Sequence, residues 1–170
     1  MKQKPSKQET EKQKPVKTEP VMQEPEKQEP AAKVINADGL MLGRMASITA
    51  KRLLFGESLV IVNAEKALVS GDRAATLNHY MKKRSIGTKD WGPFFPRRPD
   101  RLVKRTVRGM VPHKRARGRE ALSKLRVYIG VPDEYATAEK ETLDDASFKR
   151  LSNIRYTSLD EICRRLGAKY

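Results

Sequence analysis

Four consecutive apolar residues, Leu59–Val62, constrain the fold of this 170-residue chain more than any other stretch. An uninterrupted apolar run of strand length is typical of a strand that is covered on both faces, as in a parallel sheet. Residues 34–36 predict an earlier strand, and a helical apolar stripe follows over residues 42–53, between a turn at Gly39 and an end near Gly56. Because parallel strands need a crossover connection, this order of strand, helix and strand indicates an α/β protein.

Further elements are predicted downstream. Residues 67–69 predict a short strand, and a helix is expected from Asp72 to about Lys83. Residues 125–129 alternate apolar and polar side chains, which predicts a strand that closes the sheet. Residues 131–147 are acidic and indicate a loop. In the helix that is expected from Asp72 to about Lys83, the predicted inward residues are Ala74, Leu77, Tyr80 and Met81.

The chain ends in a helix whose first turn carries a capping box formed by Ser158 and Glu161. Gly167 marks its end, and Leu159, Ile162, Cys163 and Leu166 form its apolar stripe. Cys163 is the only cysteine, which excludes an internal disulfide. Its position on the stripe predicts a buried, unreactive thiol.

A strongly amphipathic helix opens the stretch from residue 97 to residue 130, around which the rest of the chain is organised. Pro99 and Asp100 suit a first helical turn, and Pro112 ends the helix. The predicted inward residues are Val103, Val107, Met110 and Val111. The opposite arc carries Arg101, Lys104, Arg105 and Arg108. One face therefore packs on the domain, and the other presents cations.

Positive charge is concentrated in one part of the chain. The formal net charge is +15, and residues 82–119 supply 12 of these charges, from fourteen basic and two acidic residues. A block of one sign in an otherwise balanced chain indicates a polyanionic partner. Nucleic acid is favoured over a membrane surface because no amphipathic Trp or Leu face accompanies the block.

A long loop, residues 84–99, lies inside this block and contains three aromatic residues. Its length argues for a function. The rings of Trp91, Phe94 and Phe95 either stack on unpaired bases or fix the loop to the domain. Packing is favoured for the two phenylalanines, whereas the two interpretations of Trp91 are evenly balanced.

Residues 1–33 form a separate region of low complexity. Prolines recur every five residues from Pro15 to Pro30, between lysine, glutamine and glutamate. Such a composition buries too little apolar surface to offset chain entropy, so we expect a disordered, solvated tail rather than a docking arm. Residues 34–170 are then one domain. Neither a signal-peptide core nor an apolar stretch long enough for a membrane span is found in the sequence.

Two glycine-containing turns, DGLMLGR and VSGDR, follow predicted strands and raise the question of nucleotide binding. Neither matches the GxGxxG or P-loop pattern, so ordinary turns are favoured. His79 and His113 have no sequence neighbours that suggest a catalytic group, and no paired Cys or His spacing suggests zinc. We therefore expect no enzyme activity, cofactor or metal.

The segment RRPDRLVKRTVRGMVPHKRARG, together with VINADGLMLGR, VIVNAEKALVSG and LSKLRVYIG, resembles the L13 family of large-subunit ribosomal proteins. The resemblance covers residues 34–170, and the GPFF, VPHK and LGAKY runs are similar to its archaeal and eukaryotic branch. Phe95 departs from that branch, which usually has a histidine there, and the tail has no counterpart in the family pattern.

The resemblance implies a three-layer α/β/α domain around a short, mostly parallel four-stranded sheet. It also implies a cytoplasmic, ribosomal protein that binds large-subunit (23S-type) ribosomal RNA, supports its assembly and touches neighbouring ribosomal proteins, with no small-molecule substrate. The predicted RNA-binding residues are Lys82, Lys83, Arg84, Lys89, Trp91, Arg97, Arg98, Arg101, Lys104, Arg105, Arg108, Gly109, His113, Lys114, Arg115, Arg117 and Arg119.

Two alternatives belong to other classes of protein. The basic helix, the turn at Pro112 and the following basic segment could form a helix-turn-helix that reads DNA, although a sheet strand follows at once. A small RNA-modifying or nucleotide-using enzyme would need a cofactor loop or an acid/base pair, which the sequence does not show.

Overall fold

Four short strands form a central sheet in which every pair is parallel. The computed structural model describes residues 32–86, 92, 94–151 and 155–170, so the predicted tail lies outside the described residues up to residue 31. The strands of the whole described chain, numbered in order, are β1 (Lys33–Asn36), β2 (Leu59–Val62), β3 (Leu68–Ser70), β4 (Leu125–Val127), β5 (Lys140–Glu141) and β6 (Tyr156–Ser158). The central sheet has the order β4-β2-β1-β5. The α/β class and the four-stranded sheet are therefore confirmed.

The membership of the sheet differs from the sequence prediction in two places. The predicted strand near residues 67–69 exists, but β3 pairs antiparallel with β6 in a separate two-stranded sheet. The fourth central strand is β5, inside the segment that was predicted to be a loop, where it pairs with Val34 and Ile35. Lys140 and Glu141 have low strand propensity, so this strand depends on its neighbour and leaves no apolar pattern in the sequence.

The two faces of the sheet are covered unequally. Ile35, Leu59 and Ile61 point into the larger core, which the helices share. Val60 on the opposite face packs with Val34 and Val62 under Tyr128, Tyr135 and Ala138. All four side chains of β2 are buried, as the apolar run predicts.

Five α-helices accompany the strands in the residues that the structure describes, and four of the five contribute buried side chains. They are α1 (Leu42–Leu54), α2 (Arg73–Ser85), α3 (Pro99–Met110), α4 (Ala116–Ser123) and α5 (Leu159–Arg165). All thirteen residues of α2 are described, and none of them is buried. Its predicted inward residues Leu77, Tyr80 and Met81 are half-buried against the core, whereas Ala74 is exposed. No helix in the described part of the chain combines the length and apolarity needed to cross a bilayer.

The terminal helix matches its prediction closely. The Ser158 hydroxyl accepts a hydrogen bond from the Glu161 amide at 3.3 Å, and Gly167 follows the helix with φ of 79°. The Glu161 carboxylate pairs with Arg73 of α2, so α5 and α2 are joined by an ion pair. Cys163 is fully buried, and burial raises the pKa of its thiol to about 12, with smaller contributions from Asp160 and Asp100. The thiol is therefore protonated at neutral pH, as expected of an unreactive cysteine.

Candidate nucleic-acid interface

Helix α3 separates apolar from cationic side chains along its whole length. It begins at Pro99, and Leu102, Val103 and Val107 are buried against the core. Leu102 is not among the inward residues that the helical period predicts, and the inward prediction for Met110 is wrong, since Met110 is 44% exposed. Met110 is the last helical residue, and the chain turns there so that Val111, in an extended conformation, fills the core instead.

The opposite arc of α3 is a surface that we call the α3 cation row: Arg101, Lys104, Arg105 and Arg108. All four side chains are exposed, and none forms an ion pair with a carboxylate that the structure describes. With Phe94 and Pro96 they line an open groove of about 320 Å³. Cations left without acidic partners are solvated in the free protein and are available to a polyanion.

Phe95 connects the α3 cation row to α2. The guanidinium of Arg105 lies over its ring at 4.8 Å from the centroid, and Tyr80 of α2 meets the ring edge-on at 6.2 Å. The ammonium of Lys83 lies 5.6 Å from the centroid of Tyr80. Phe95 packs on the domain as predicted, but Phe94 is 73% exposed, so the packing prediction is wrong for that ring. Trp91 and Lys89 lie outside the described residues.

Two further cations, Arg84 and Arg97, approach the end of α5. One terminal nitrogen of Arg84 and one of Arg97 each lie 3.9 Å from the position that a Cβ would take on Gly167. The two nitrogens are therefore no more than twice that distance apart. Both cations therefore lie near the C-terminal end of α5, where the helix dipole favours positive charge.

The predicted cations after α3 do not all have the same role. His113, Lys114, Arg115 and Arg119 are exposed around the turn into α4 and the first half of that helix. Arg117 is also exposed, but its Nη2 donates a hydrogen bond of 3.1 Å to the Leu54 carbonyl at the end of α1. Arg117 therefore supports the fold as well as adding positive charge. Arg98, which precedes α3, is likewise engaged: its Nε lies 3.3 Å from Oδ1 of Asp100.

Two glycines in this region have opposite environments. A Cβ on Gly118 would lie 2.2 Å from the Pro112 carbonyl oxygen, so α4 can approach the turn only because residue 118 is glycine. The sequence analysis missed this requirement. Gly109, a predicted contact residue, is exposed with no atom within 4 Å of its would-be Cβ.

The remaining predicted contact residues, Lys82 and Lys83, lie exposed near the end of α2. The described members of the predicted set thus lie on the end of α2, the loop before α3, the exposed arc of α3, and the turn into α4 with the first half of that helix. Their side chains share net positive charge with few acidic neighbours, since residues 82–119 contain only two acidic residues.

The two glycine turns are closed by the chain itself. The Met41 amide at the start of α1 donates to the Ala146 carbonyl at 2.7 Å, and the Phe148 amide donates to the Gly39 carbonyl at 3.0 Å. At α2 the Asp72 carboxylate accepts from the Ala75 amide at 3.2 Å. A helix start that is occupied by a carboxylate, as at α2, disfavours phosphate. Among the residues described, no cluster of three or more metal-ligating side chains is found.

The fold and the surface together define a small α/β domain whose chemistry lies in an exposed cationic face. Comparison with known proteins identifies its family. The family model for ribosomal protein L13 matches residues 31–134. The large ribosomal subunit protein uL13 of Methanosarcina barkeri is 53% identical over 138 residues, which is 81% of this chain and 99% of that protein. Its counterpart in Methanococcoides burtonii is 50% identical over 81% of this chain and 99% of its own length. The protein of the same name in Archaeoglobus fulgidus is 49% identical over 79% of this chain and 86% of its own length.

The chain therefore belongs to the ribosomal protein L13 family, as the sequence resemblance indicated.

Proposed function

We propose that this protein is a structural constituent of the large ribosomal subunit that binds large-subunit ribosomal RNA and supports its assembly. The observation that carries the proposal is the α3 cation row, whose four exposed cations have no carboxylate partner among the described residues. Family membership supplies the ribosomal setting, since the relatives are large ribosomal subunit proteins. The proposed location is the ribosome, in the cytoplasm.

The proposed mechanism is neutralisation of phosphates by cations that a rigid domain holds in place. The buried face of α3 fixes the helix, so Arg101, Lys104 and Arg105 are presented together rather than on a flexible arm. Each cation that meets a phosphate releases counterions and so contributes affinity. Contacts of this kind position RNA and recognise its shape more than its sequence.

The proposed role in assembly is supported by the positive charge that three elements of the domain carry. Where separate RNA helices approach one another their phosphates repel, and cations from α2, α3 and the turn into α4 would lower that repulsion. The proposed function involves no catalytic turnover. Family membership favours this structural role over a DNA-binding regulator or an enzyme.

The test is a charge-removal variant of the α3 cation row. Changing Arg101, Arg105 and Arg108 together to Gln keeps helix propensity and removes three charges, so the fold should be retained. The slope of log affinity against log salt for a ribosomal RNA fragment should shallow by about 0.7 to 0.9 per residue, roughly two to three units in total. The measurement is RNA binding at several salt concentrations beside a thermal melt.

Two controls separate an RNA contact from general effects. Arg44, Arg126 and Arg165 are exposed arginines outside residues 82–119, and changing these three to Gln removes the same charge. That variant should leave the slope close to the wild-type value. Val107→Asp buries a charge in the core, where Val107 is fully buried, and should unfold the domain. An unchanged slope in the α3 variant, or a melt as low as that of Val107→Asp, would refute the proposal.

A further inference from the structure

Two half-exposed aromatic rings form a pair well outside the cationic segment. Phe148 and Tyr156 have ring centroids 6.2 Å apart, with an angle of 55° between their planes. The residues are 40% and 44% exposed, respectively. Large aromatic side chains usually bury most of their surface, and two exposed ones in contact indicate a surface that a partner covers.

Rigid backbone holds both rings in position. The Phe148 amide donates to the Gly39 carbonyl at 3.0 Å, and its ring lies 3.4 Å from the position a Gly39 Cβ would take. Tyr156 opens β6, where it pairs with Ser70 of β3. Because the backbone that carries the rings is held before any partner arrives, little backbone entropy is lost on binding.

Each ring has a cation next to it in the sequence: Lys149 follows Phe148, and Arg155 precedes Tyr156. Lys149 and Arg155 are exposed and have no ion pair with any carboxylate in the described ranges. Arg150 between them is engaged by Asp145. Aromatic rings beside free cations are the combination that binds single-stranded nucleic acid, because a base stacks on the ring while the backbone phosphates meet the charges.

We propose that Phe148 and Tyr156 form a stacking site for an unpaired RNA base, with Lys149 and Arg155 on the adjoining phosphates. This site is distinct from the α3 cation row, and it rests on the proposed function only in taking RNA as the ligand. A protein partner would also cover apolar rings, but the flanking free cations favour a polyanion.

The experiment uses the full chain and two RNA probes, an eight-nucleotide single strand and a twelve-base-pair duplex. Phe148→Leu with Tyr156→Leu retains apolar volume but removes both π faces. Affinity for the single strand should fall by about 5- to 150-fold, the loss expected of base stacking. Because no charge is removed, the salt slope should be unchanged, and duplex binding should match the wild type.

The ring-preserving variant Phe148→Tyr with Tyr156→Phe is the matched control and should bind the single strand like the wild type. Thermal melts establish that each variant is folded. If the double Leu variant melts early, Lys149→Gln with Arg155→Gln keeps both rings and should shallow the single-strand salt slope by about 1.4 units.

Wild-type binding of the single strand by the folded double Leu variant overturns the proposal, as does an unchanged slope in the Lys149 and Arg155 variant. Lost incorporation into the large subunit with both RNA affinities intact would instead assign the rings to a protein neighbour, which also overturns it. Failure of the proposed function can be distinguished from failure of this proposal. The former would appear as an unchanged salt slope when the α3 cation row variant binds ribosomal RNA. It would leave the effect of the ring variants on single-strand affinity intact.

Discussion

The guanidinium of Arg105 lies over the ring of Phe95, 4.8 Å from its centroid. Arg105 belongs to the α3 cation row, whereas Phe95 belongs to the loop before α3 and also meets Tyr80 of α2. The ring therefore limits the directions that the Arg105 side chain can take and connects two elements of the proposed RNA surface. A cation–π contact at an exposed site contributes about 0.5 to 1 kcal/mol.

We expect Phe95→Leu to lower RNA affinity about two- to fivefold at low salt, because Arg105 loses its preferred orientation. The salt slope should stay unchanged, since the charge of Arg105 is retained, whereas Arg105→Gln should lower both affinity and slope. Phe95→Tyr retains the π face and is the matched control. A double-mutant cycle is the measurement: in the Arg105→Gln background the extra loss from Phe95→Leu should largely disappear.

Arg84 and Arg97 give the second prediction, since their terminal nitrogens both approach Gly167. We expect the pair to hold one phosphate between them, so that the losses in affinity from Arg84→Gln and Arg97→Gln are not additive. In the free protein the two charges repel by about 0.5 kcal/mol in water at low salt, so either single variant should melt no lower than the wild type. Arg165→Gln, at an exposed cation at the end of α5, is the control. Strictly additive losses would show that the two arginines contact separate phosphates.

The faces of α3 could be read from the sequence, whereas the convergence of Arg84 and Arg97 could not. Helical period alone separates Val107 from Arg105, because both lie on one regular element. Arg84, Arg97 and Gly167 lie on different elements, and no local pattern encodes the packing that brings them together.

The loop before α3 shows a second limit of sequence reasoning. Phe94 and Phe95 are adjacent, yet one ring is exposed and the other packs on the core. An irregular segment has no period that assigns its side chains to a face, so the sequence could not distinguish them. Strand β5 could not be predicted for a related reason. Its pairing with β1 is a tertiary contact, and Lys140 and Glu141 have no strand pattern of their own.

The third prediction compares two helical glycines. Gly118→Ala should lower the free energy of unfolding by about 1 to 3 kcal/mol or more, because its Cβ would meet the Pro112 carbonyl oxygen at 2.2 Å. Gly109→Ala should raise the free energy of unfolding by about 0.5 to 1 kcal/mol, since α3 gains helix propensity without a clash. Urea unfolding of both variants measures the two effects. If RNA backbone approaches Gly109 as predicted, the stabilised variant should nevertheless bind RNA more weakly with the same salt slope.

The last prediction concerns the ion pair that fastens the edge of the sheet to α1. Arg52 donates two hydrogen bonds to Glu141 of β5, at 2.7 and 2.6 Å. The hydrogen bond from Arg52 is the main cause of a lowered Glu141 pKa, against the opposing effect of burial. Because the folded-state pKa lies below the unfolded value, this carboxylate stabilises the fold above the ordinary glutamate pKa, and the contribution is lost as pH falls through the folded-state value.

Glu141→Gln should therefore be less stable than the wild type at neutral pH, by at most about 1 kcal/mol because the pair is partly exposed. The difference should shrink as pH falls below the ordinary glutamate pKa and through the lowered folded-state pKa of Glu141, because the wild-type carboxylate becomes protonated there. Urea unfolding at a series of pH values measures it. Glu139→Gln, at an exposed carboxylate on the same segment with no ion pair to a described residue, is the control and should track the wild type. A wild-type advantage over Glu141→Gln that stayed constant down to pH 3 would show that the pair stabilises the edge through packing rather than through charge.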